Sequence, residues 1–175
     1  MSIHIIIDGY NLIRQSPSLS SLERIDIQQG REVLVDRLAT YKRIKSHKIT
    51  VVFDGAKAPS FSAKRVFQKG ITIKFSRNRE TADTVIKRMA KAEKEKALVV
   101  SSDREVVAAA ESYGAATINT PDFEKKLILA GHMNTQDVDT EEEEQRGWKP
   151  TTKKKGPRRR LSKSMRRNKL KINKL

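Results

Sequence analysis

Three short apolar runs of the chain end in aspartate: Ile5-Ile6-Ile7-Asp8, Val51-Val52-Phe53-Asp54 and Val99-Val100-Ser101-Ser102-Asp103. Runs of this length and apolarity are expected of strands buried on both faces. In an open parallel sheet, ligands sit in the crevice beyond the carboxyl ends of the strands. Three carboxylates delivered to that edge would be neighbours in space although far apart in sequence. A fourth, Asp83, falls in the first turn of a predicted helix beside the apolar Ala82. It therefore lies on the border of the apolar stripe, and a helix starting near the same edge would aim it into the same crevice.

Each acid alone has an ordinary explanation. Asp-Gly after a strand is a turn signal, Asp103, or Ser101 or Ser102 before it, suits a helix N-cap, and Asp83 in a first turn is favoured by the helix dipole. Their coincidence at one edge is harder to explain, because two like charges at 4 Å repel by about 4 kcal/mol at an effective dielectric of 20. A hard divalent cation relieves that cost, and Mg²⁺ or Mn²⁺ prefers such oxygen ligands with water completing the shell. The chemistry this set suits is metal-assisted attack of water on a phosphodiester. The Asn11 amide and the Ser102 hydroxyl are placed to orient a ligand water or a phosphate, although Asn11 would equally satisfy backbone groups of its own loop. No GxxxxGK[ST] loop occurs, so no nucleotide cofactor of the P-loop kind is expected. Asp8 is followed by Gly-Tyr-Asn and not by a second aspartate two residues on, which weighs against a haloacid-dehalogenase-type phosphatase. The paired acids of a response-regulator receiver are likewise missing after the first strand.

The elements that must carry these residues alternate. After Asp8 a polar loop is expected. Asp26 with Gln29 then opens a helix on which Leu34, Leu38 and Tyr41 recur at helical spacing. Strands follow at Ile49–Phe53 and Ile71–Phe75. A helix over Thr81–Lys96 has Ala82, Ile86 and Met89 on one face, and another strand spans Ala97–Ser101. The helix Arg104–Tyr113 closes on Gly114, which suits a left-handed cap. Ala115–Ile118 is a fifth strand, and Thr120-Pro121 opens a last helix. Strands separated by helices call for an α/β fold with a mainly parallel sheet covered on both faces.

Charge divides the 175 residues unevenly. The net charge is +16, yet residues 146–175 carry 14 Lys or Arg and no acid, which leaves 23 basic against 21 acidic residues in the first 145. Residues 1–131 form the folded domain, 132–148 an acidic linker with six carboxylates between Asp137 and Glu144, and 149–175 a basic tail. The linker and tail are too polar to offset an ordering entropy of about 1–2 kcal/mol per residue, so both are expected to be disordered. With no Cys there is no disulfide framework and no thiolate metal site. Ile3–Ile7 is too short for a signal-peptide core and nothing approaches a membrane span, so a cytoplasmic protein is expected.

The set Ile7-Asp8-Gly9-Tyr10-Asn11, Val52-Phe53-Asp54-Gly55, Glu80-Thr81-Ala82-Asp83 and Val100-Ser101-Ser102-Asp103-Arg104-Glu105 resembles the NYN-domain family of the PIN-like nuclease superfamily, with order and spacing similar to its YacP-like branch. The resemblance runs from Ile3 to about Leu129 and leaves the tail outside. It implies a three-layer PIN-like fold and a Mg²⁺- or Mn²⁺-dependent endoribonuclease. Its acidic site would be Asp8, Asp54, Asp83 and Asp103, with Asn11 and Ser102 in support and Asp8, Asp83 and Asp103 as first-choice metal ligands. Within that branch, ribosome association and cleavage of mRNA during translation is a suggested role.

Single-stranded RNA would be met by the loop Gly55–Gly70, where Lys57, Lys64 and Arg65 are interleaved with Phe61 and Phe67, and by Arg77 and Arg79 beyond it. The ordinary alternative places Phe67 in the core and leaves the cations as plain surface. In the tail, Lys153-Lys154-Lys155, Arg158-Arg159-Arg160 and Arg166-Arg167 form a nucleic-acid-binding arm. A membrane-surface helix is its rival, but the apolar spacing is not sustained and Gly156-Pro157 interrupts it. The alternative to an enzyme is a non-catalytic RNA- or ribosome-binding protein on a PIN-like scaffold.

Overall fold

The computed structural model of the chain describes residues 3–57, 65–77, 79–135 and 162–175. In chain order the strands are β1 (His4–Asp8), β2 (Lys48–Phe53), β3 (Arg65–Gln68), β4 (Ile71–Phe75), β5 (Ala97–Val100) and β6 (Ala116–Ile118). The helices are α1 (Gly9–Gln15), α2 (Pro17–Ile25), α3 (Ile27–Ile44), α4 (Ala82–Glu93), α5 (Arg104–Ser112), α6 (Thr120–Thr135) and α7 (Lys163–Ile172).

The strands make one sheet in the order β3-β4-β2-β1-β5-β6. Every pairing is parallel except β3 with β4. The apolar runs predicted as strands are the central ones, and β1 and β5 are buried throughout. One face packs against α1, α2, α3 and α6 through Leu12, Leu19, Leu34 and Phe123. The other packs against α4 and α5 through Ile86 and Val106. The fold is α/β with three layers, as expected. Among the described residues no helix is long and apolar enough to cross a membrane.

Three segments differ from the sequence-based expectation. The polar loop after β1 is two helices. α2 starts at Pro17, with the Ser16 hydroxyl accepting the Leu19 N–H, and both helices bury apolar residues (Leu12, Ile13, Leu19) that outweigh their poor propensity. Part of the Gly55–Gly70 loop is the edge strand β3, closed to β4 by a turn in which Lys69 and Gly70 both take positive φ.

The third difference lies within the tail expected to be disordered, of which residues 162–175 are described. Residues 163–172 are helical, Leu175 is buried in the main core, and the Tyr41 hydroxyl donates to the Leu175 carbonyl at 3.0 Å. Asn168 Oδ1 accepts the Thr117 N–H at 2.9 Å on the outer edge of β6, standing in for a strand partner. A few apolar anchors and one edge cap thus order a segment whose composition alone argues for disorder.

The register brings the acids together. Ile7 pairs with Val51 on one side and Val100 on the other, so β1, β2 and β5 end at one level, and Asp8, Asp54 and Asp103 follow at that edge.

Candidate active site

Asp8 ends β1 and caps α1, its Oδ1 accepting the Asn11 N–H at 3.1 Å. Only 8% of the residue is exposed. Burial raises its carboxyl to about 6 against the opposing bond from Asn11, and the charges of Asp83 and Asp103 push it the same way as burial. Asp54 follows β2 and accepts the Ala56 N–H at 2.9 Å. Asp83 lies in the first turn of α4, and burial followed by the charge of Asp103 raises its carboxyl too. Asp103 caps α5, accepting the Glu105 and Val106 N–H groups at 2.7 and 3.1 Å.

These four carboxylates line one cleft of about 640 Å³ together with Tyr10, Asn11, Arg14, Gln15 and Thr81. The local role of the acids does not remove them from the cleft: three of them accept from nearby backbone and still face a common space. Each of these backbone bonds is accepted by Oδ1. Among the described residues no group of three or more acidic or histidine side chains is close enough to hold one ion as it stands. A Mg²⁺ ion needs less than that, since it commonly keeps several waters and takes one or two carboxylates directly. The donor set fits such an ion. It is all oxygen, and burial together with neighbouring acids raises two of its carboxyls, Asp8 beside Asp83 and Asp103, and Asp83 beside Asp103 in spite of the opposing Lys87.

Asn11 and Ser102, expected to orient a ligand water or a phosphate, are bonded here to one another's segments and to Thr120. Asn11 Oδ1 accepts the Ser102 N–H at 3.1 Å and the Thr120 hydroxyl at 2.6 Å, while Ser102 Oγ accepts the Thr120 N–H at 3.1 Å. One amide oxygen thereby ties α1 to the starts of α5 and α6.

The two Asp-Gly pairs turn out to need glycine for space. A Cβ on Gly9 would lie 2.3 Å from the Phe53 ring, and one on Gly55 would lie 2.0 Å from the Ser76 carbonyl oxygen. Neither glycine has positive φ.

Among the basic residues expected at RNA, Arg77 and Arg79 line a second depression of about 520 Å³ that shares Asp54, Ala56 and Thr81 with the acidic cleft. Arg65 is on β3, away from the cleft. Arg166 and Arg167 are on α7, and Arg167 is paired with Glu95. Lys64, Lys153, Lys154, Lys155, Arg158, Arg159, Arg160 and the side chain of Lys57 lie outside the described residues, as do Phe61 and the acidic block.

Several residues of the site were not singled out in the sequence. Arg14 stands on the cleft wall, its guanidinium 5.5 Å from the centroid of the Tyr10 ring. Its position one helical turn after Tyr10 is the signal, legible only once Gly9–Gln15 is known to be a helix. Arg31 is buried beneath Tyr10, donating to its hydroxyl from Nε at 2.9 Å. Lys87, one turn after Asp83 on α4, donates to Glu105 and offsets part of the acid charge.

A family model described as YacP-like NYN domain matches residues 5–172, which includes the α7 segment that the sequence motifs left outside. The "Uncharacterized protein YacP" of Bacillus subtilis (strain 168) is 30% identical over 88 residues, and the chain spans about half the length of that relative (51%, from 50% of this chain). A crystal structure of Rae1 (YacP) from Bacillus subtilis superposes with a TM-score of 0.68 at 26% identity, covering 79% of this chain and 80% of that one. A single-substitution variant of the same protein gives 0.65 at 24% identity, covering 78% and 81%.

Proposed function

The chain belongs to the YacP-like NYN domain family, a PIN-like nuclease family, and from that premise we propose that it is a Mg²⁺- or Mn²⁺-dependent endoribonuclease acting on single-stranded RNA. The observation that carries the reading is the meeting of Asp8, Asp54, Asp83 and Asp103, from four separate segments, in one open cleft. Asp8, Asp83 and Asp103 would hold the metal, with Asp54 as a further ligand or as an acceptor for a water in its shell. When bound, such an ion supplies Lewis-acid neutralisation of phosphate charge and an acidified water at neutral pH. Asp8 enters that chemistry with a carboxyl raised to about 6, and a bound cation would favour its ionised form.

The remaining residues bind and position. Arg14 on one wall and Arg77 with Arg79 beyond Asp54 flank the acidic centre with cations. A phosphodiester strand laid across the cleft would meet positive charge on either side of the scissile group, and cleavage would leave a 5′-phosphate. Asn11 and Ser102 keep the three helix starts at fixed separation. Basic residues of the C-terminal segment, Arg166 among them, would add affinity for RNA, and mRNA on the ribosome is the substrate this reading extends to.

The test is cleavage of end-labelled single-stranded RNA by the purified chain with Mn²⁺, with and without ribosomes. Asp8→Asn and Asp103→Asn should each abolish cutting while RNA binding survives. Cutting that persists in both variants would overturn the assignment. Binding without cutting in the unsubstituted chain under every condition would favour a non-catalytic RNA- or ribosome-binding protein, a reading supported by the cap bonds that already occupy three of the four carboxylates.

A further inference from the structure

On the α4 side of the sheet, apolar packing stops at β2. Ile6, Val52 and Val99 meet α4 there, but the same face of β4 and β3 is polar. Thr50 lies beside Thr72 and Val52 beside Lys74 in the parallel register. Across the antiparallel pair, Arg65 is opposite Lys74 and Phe67 opposite Thr72, and residues directly opposite in such a pair share a face. The alternate residues Val66, Ile71 and Ile73 turn the other way, to the main core. The result is a sheet face on which the buried threonines Thr50 and Thr72 are bordered by cations, with the Phe67 ring standing 74% exposed at its edge.

Charge on this face is unbalanced. A depression of about 250 Å³ is lined by Lys48, Thr50, Arg65, Thr72 and Lys74. Lys48 reaches one carboxylate, Glu93, at 3.9 Å. Among the described residues Arg65 and Lys74 have no ion-pair partner, and the Lys74 ammonium points at the Met89 sulfur at 3.7 Å. Burial together with the charges of Arg65, Arg88 and Lys48 makes Lys74 a weaker base than usual. His4 is not available to a ligand, since its ring nitrogens face Glu93 and Thr50 at 3.1 and 2.9 Å.

We infer that this face is a second contact surface for single-stranded RNA, on which an unpaired base stacks against Phe67 while Arg65, Lys74 and Lys48 meet phosphates. A polyanion supplies the counter-charge that the face lacks, and an exposed ring set among cations suits an unpaired base. The surface also leads to the cleft. β4 runs from Lys74 towards Arg77, about 10 Å further along at strand spacing, and Arg77 lines the depression that shares Asp54 with the acidic centre. A strand held against Phe67 and these cations would thus be delivered to the carboxylates past Arg77. The inference rests on the reading of RNA as the ligand.

The experiment is anisotropy of a labelled single-stranded RNA with the full chain, in EDTA so that metal-dependent cutting is off. Phe67→Ala should weaken binding roughly 5- to 150-fold and Phe67→Trp should restore it. The double variant Arg65→Ala/Lys74→Ala should flatten the slope of log affinity against log salt by about 1.4. Lys125→Ala, on α6, serves as the control and should change neither. Binding by the unsubstituted chain with affinity and slope unmoved in the Phe67 and double variants would overturn this surface alone. Loss through the cations with Phe67→Ala silent would overturn its single-strand preference, and no RNA binding at all would overturn it together with the nuclease reading.

Discussion

Asn11 and Thr120, 109 positions apart, are joined by a 2.6 Å hydrogen bond from the threonine hydroxyl to the asparagine side-chain oxygen. The same oxygen accepts the Ser102 N–H, so a single amide joins α1 to the residue before Asp103 and to the start of α6. Two of the site's aspartates adjoin this network, Asp8 through the Asn11 N–H and Asp103 next to Ser102 in the chain.

Asn11→Ala should therefore cost stability as well as activity. It leaves the Ser102 N–H and the Thr120 hydroxyl without their acceptor in a half-buried place, a loss of about 1–3 kcal/mol. Thr120→Val should cost less, and Thr120→Ser should be nearly neutral. Urea denaturation of the single and double variants would give a coupling energy between Asn11 and Thr120 of at least about 0.5 kcal/mol. Additivity within error would show that the bond does not organise the cleft.

Asp8 should destabilise the metal-free protein at neutral pH. Its folded-state carboxyl is raised from 3.8 to about 6, so the folded state binds the proton more tightly than the unfolded chain. Its contribution is fully present below about pH 4 and is lost as pH rises through 6, a change on the order of 3 kcal/mol. Asp8→Asn keeps an acceptor for the Asn11 N–H and removes the charge. The variant should melt several degrees higher than the parent at pH 8, and the gap should close by pH 4. Added Mn²⁺ should raise the melting temperature of the parent and not that of the variant. A gap that is independent of pH would rule out burial of charge at Asp8 as its origin.

Gly55→Ala tests the close approach behind Asp54. Because the new methyl would lie 2.0 Å from the Ser76 carbonyl oxygen, backbone must move, at a cost of about 1–3 kcal/mol. The displacement falls on the neighbour of Asp54, so cleavage should drop by more than the stability loss explains. Thermal melting alongside single-turnover cleavage would separate the two. Unchanged melting would show that the loop accommodates the methyl freely.

Removal of residues 162–175 should destabilise the body of the protein. It takes Leu175 out of the core and the Asn168 acceptor away from the Thr117 N–H. Burial of one leucine side chain contributes about 1.5–3 kcal/mol, so the melting temperature should fall on the order of 10 °C. Tyr41→Phe, which loses only the bond to the Leu175 carbonyl, should show a smaller fall. A truncated chain that melts with the parent would mean that α7 rests on the surface without stabilising it.

The residues themselves carried the central strands, the helices that follow β4, β5 and β6, and the aspartates at strand ends, because each is written in a local pattern. A run such as Ile5-Ile6-Ile7 has few alternatives to a buried strand, and Asp103 before Arg104–Ser112 caps its helix with its own nearest neighbours. Those patterns also sufficed to place Asp8, Asp54 and Asp103 at a common edge, since parallel strands of similar length end together. Long-range packing decided the rest. α1 and α2 are built from Gly, Ser and Pro-containing stretches whose weak propensity is overridden by burial of Leu12, Ile13 and Leu19. β3 exists because β4 offers it a partner, and its pairing turns Phe67 outward and Val66 inward. The last helix is ordered by contacts with β6 and Tyr41, more than fifty and more than a hundred positions away respectively. Hydrophobic periodicity and capping act over a few residues and can be read along the chain. Docking energy is a property of two surfaces, and it exists only where the fold brings them into contact.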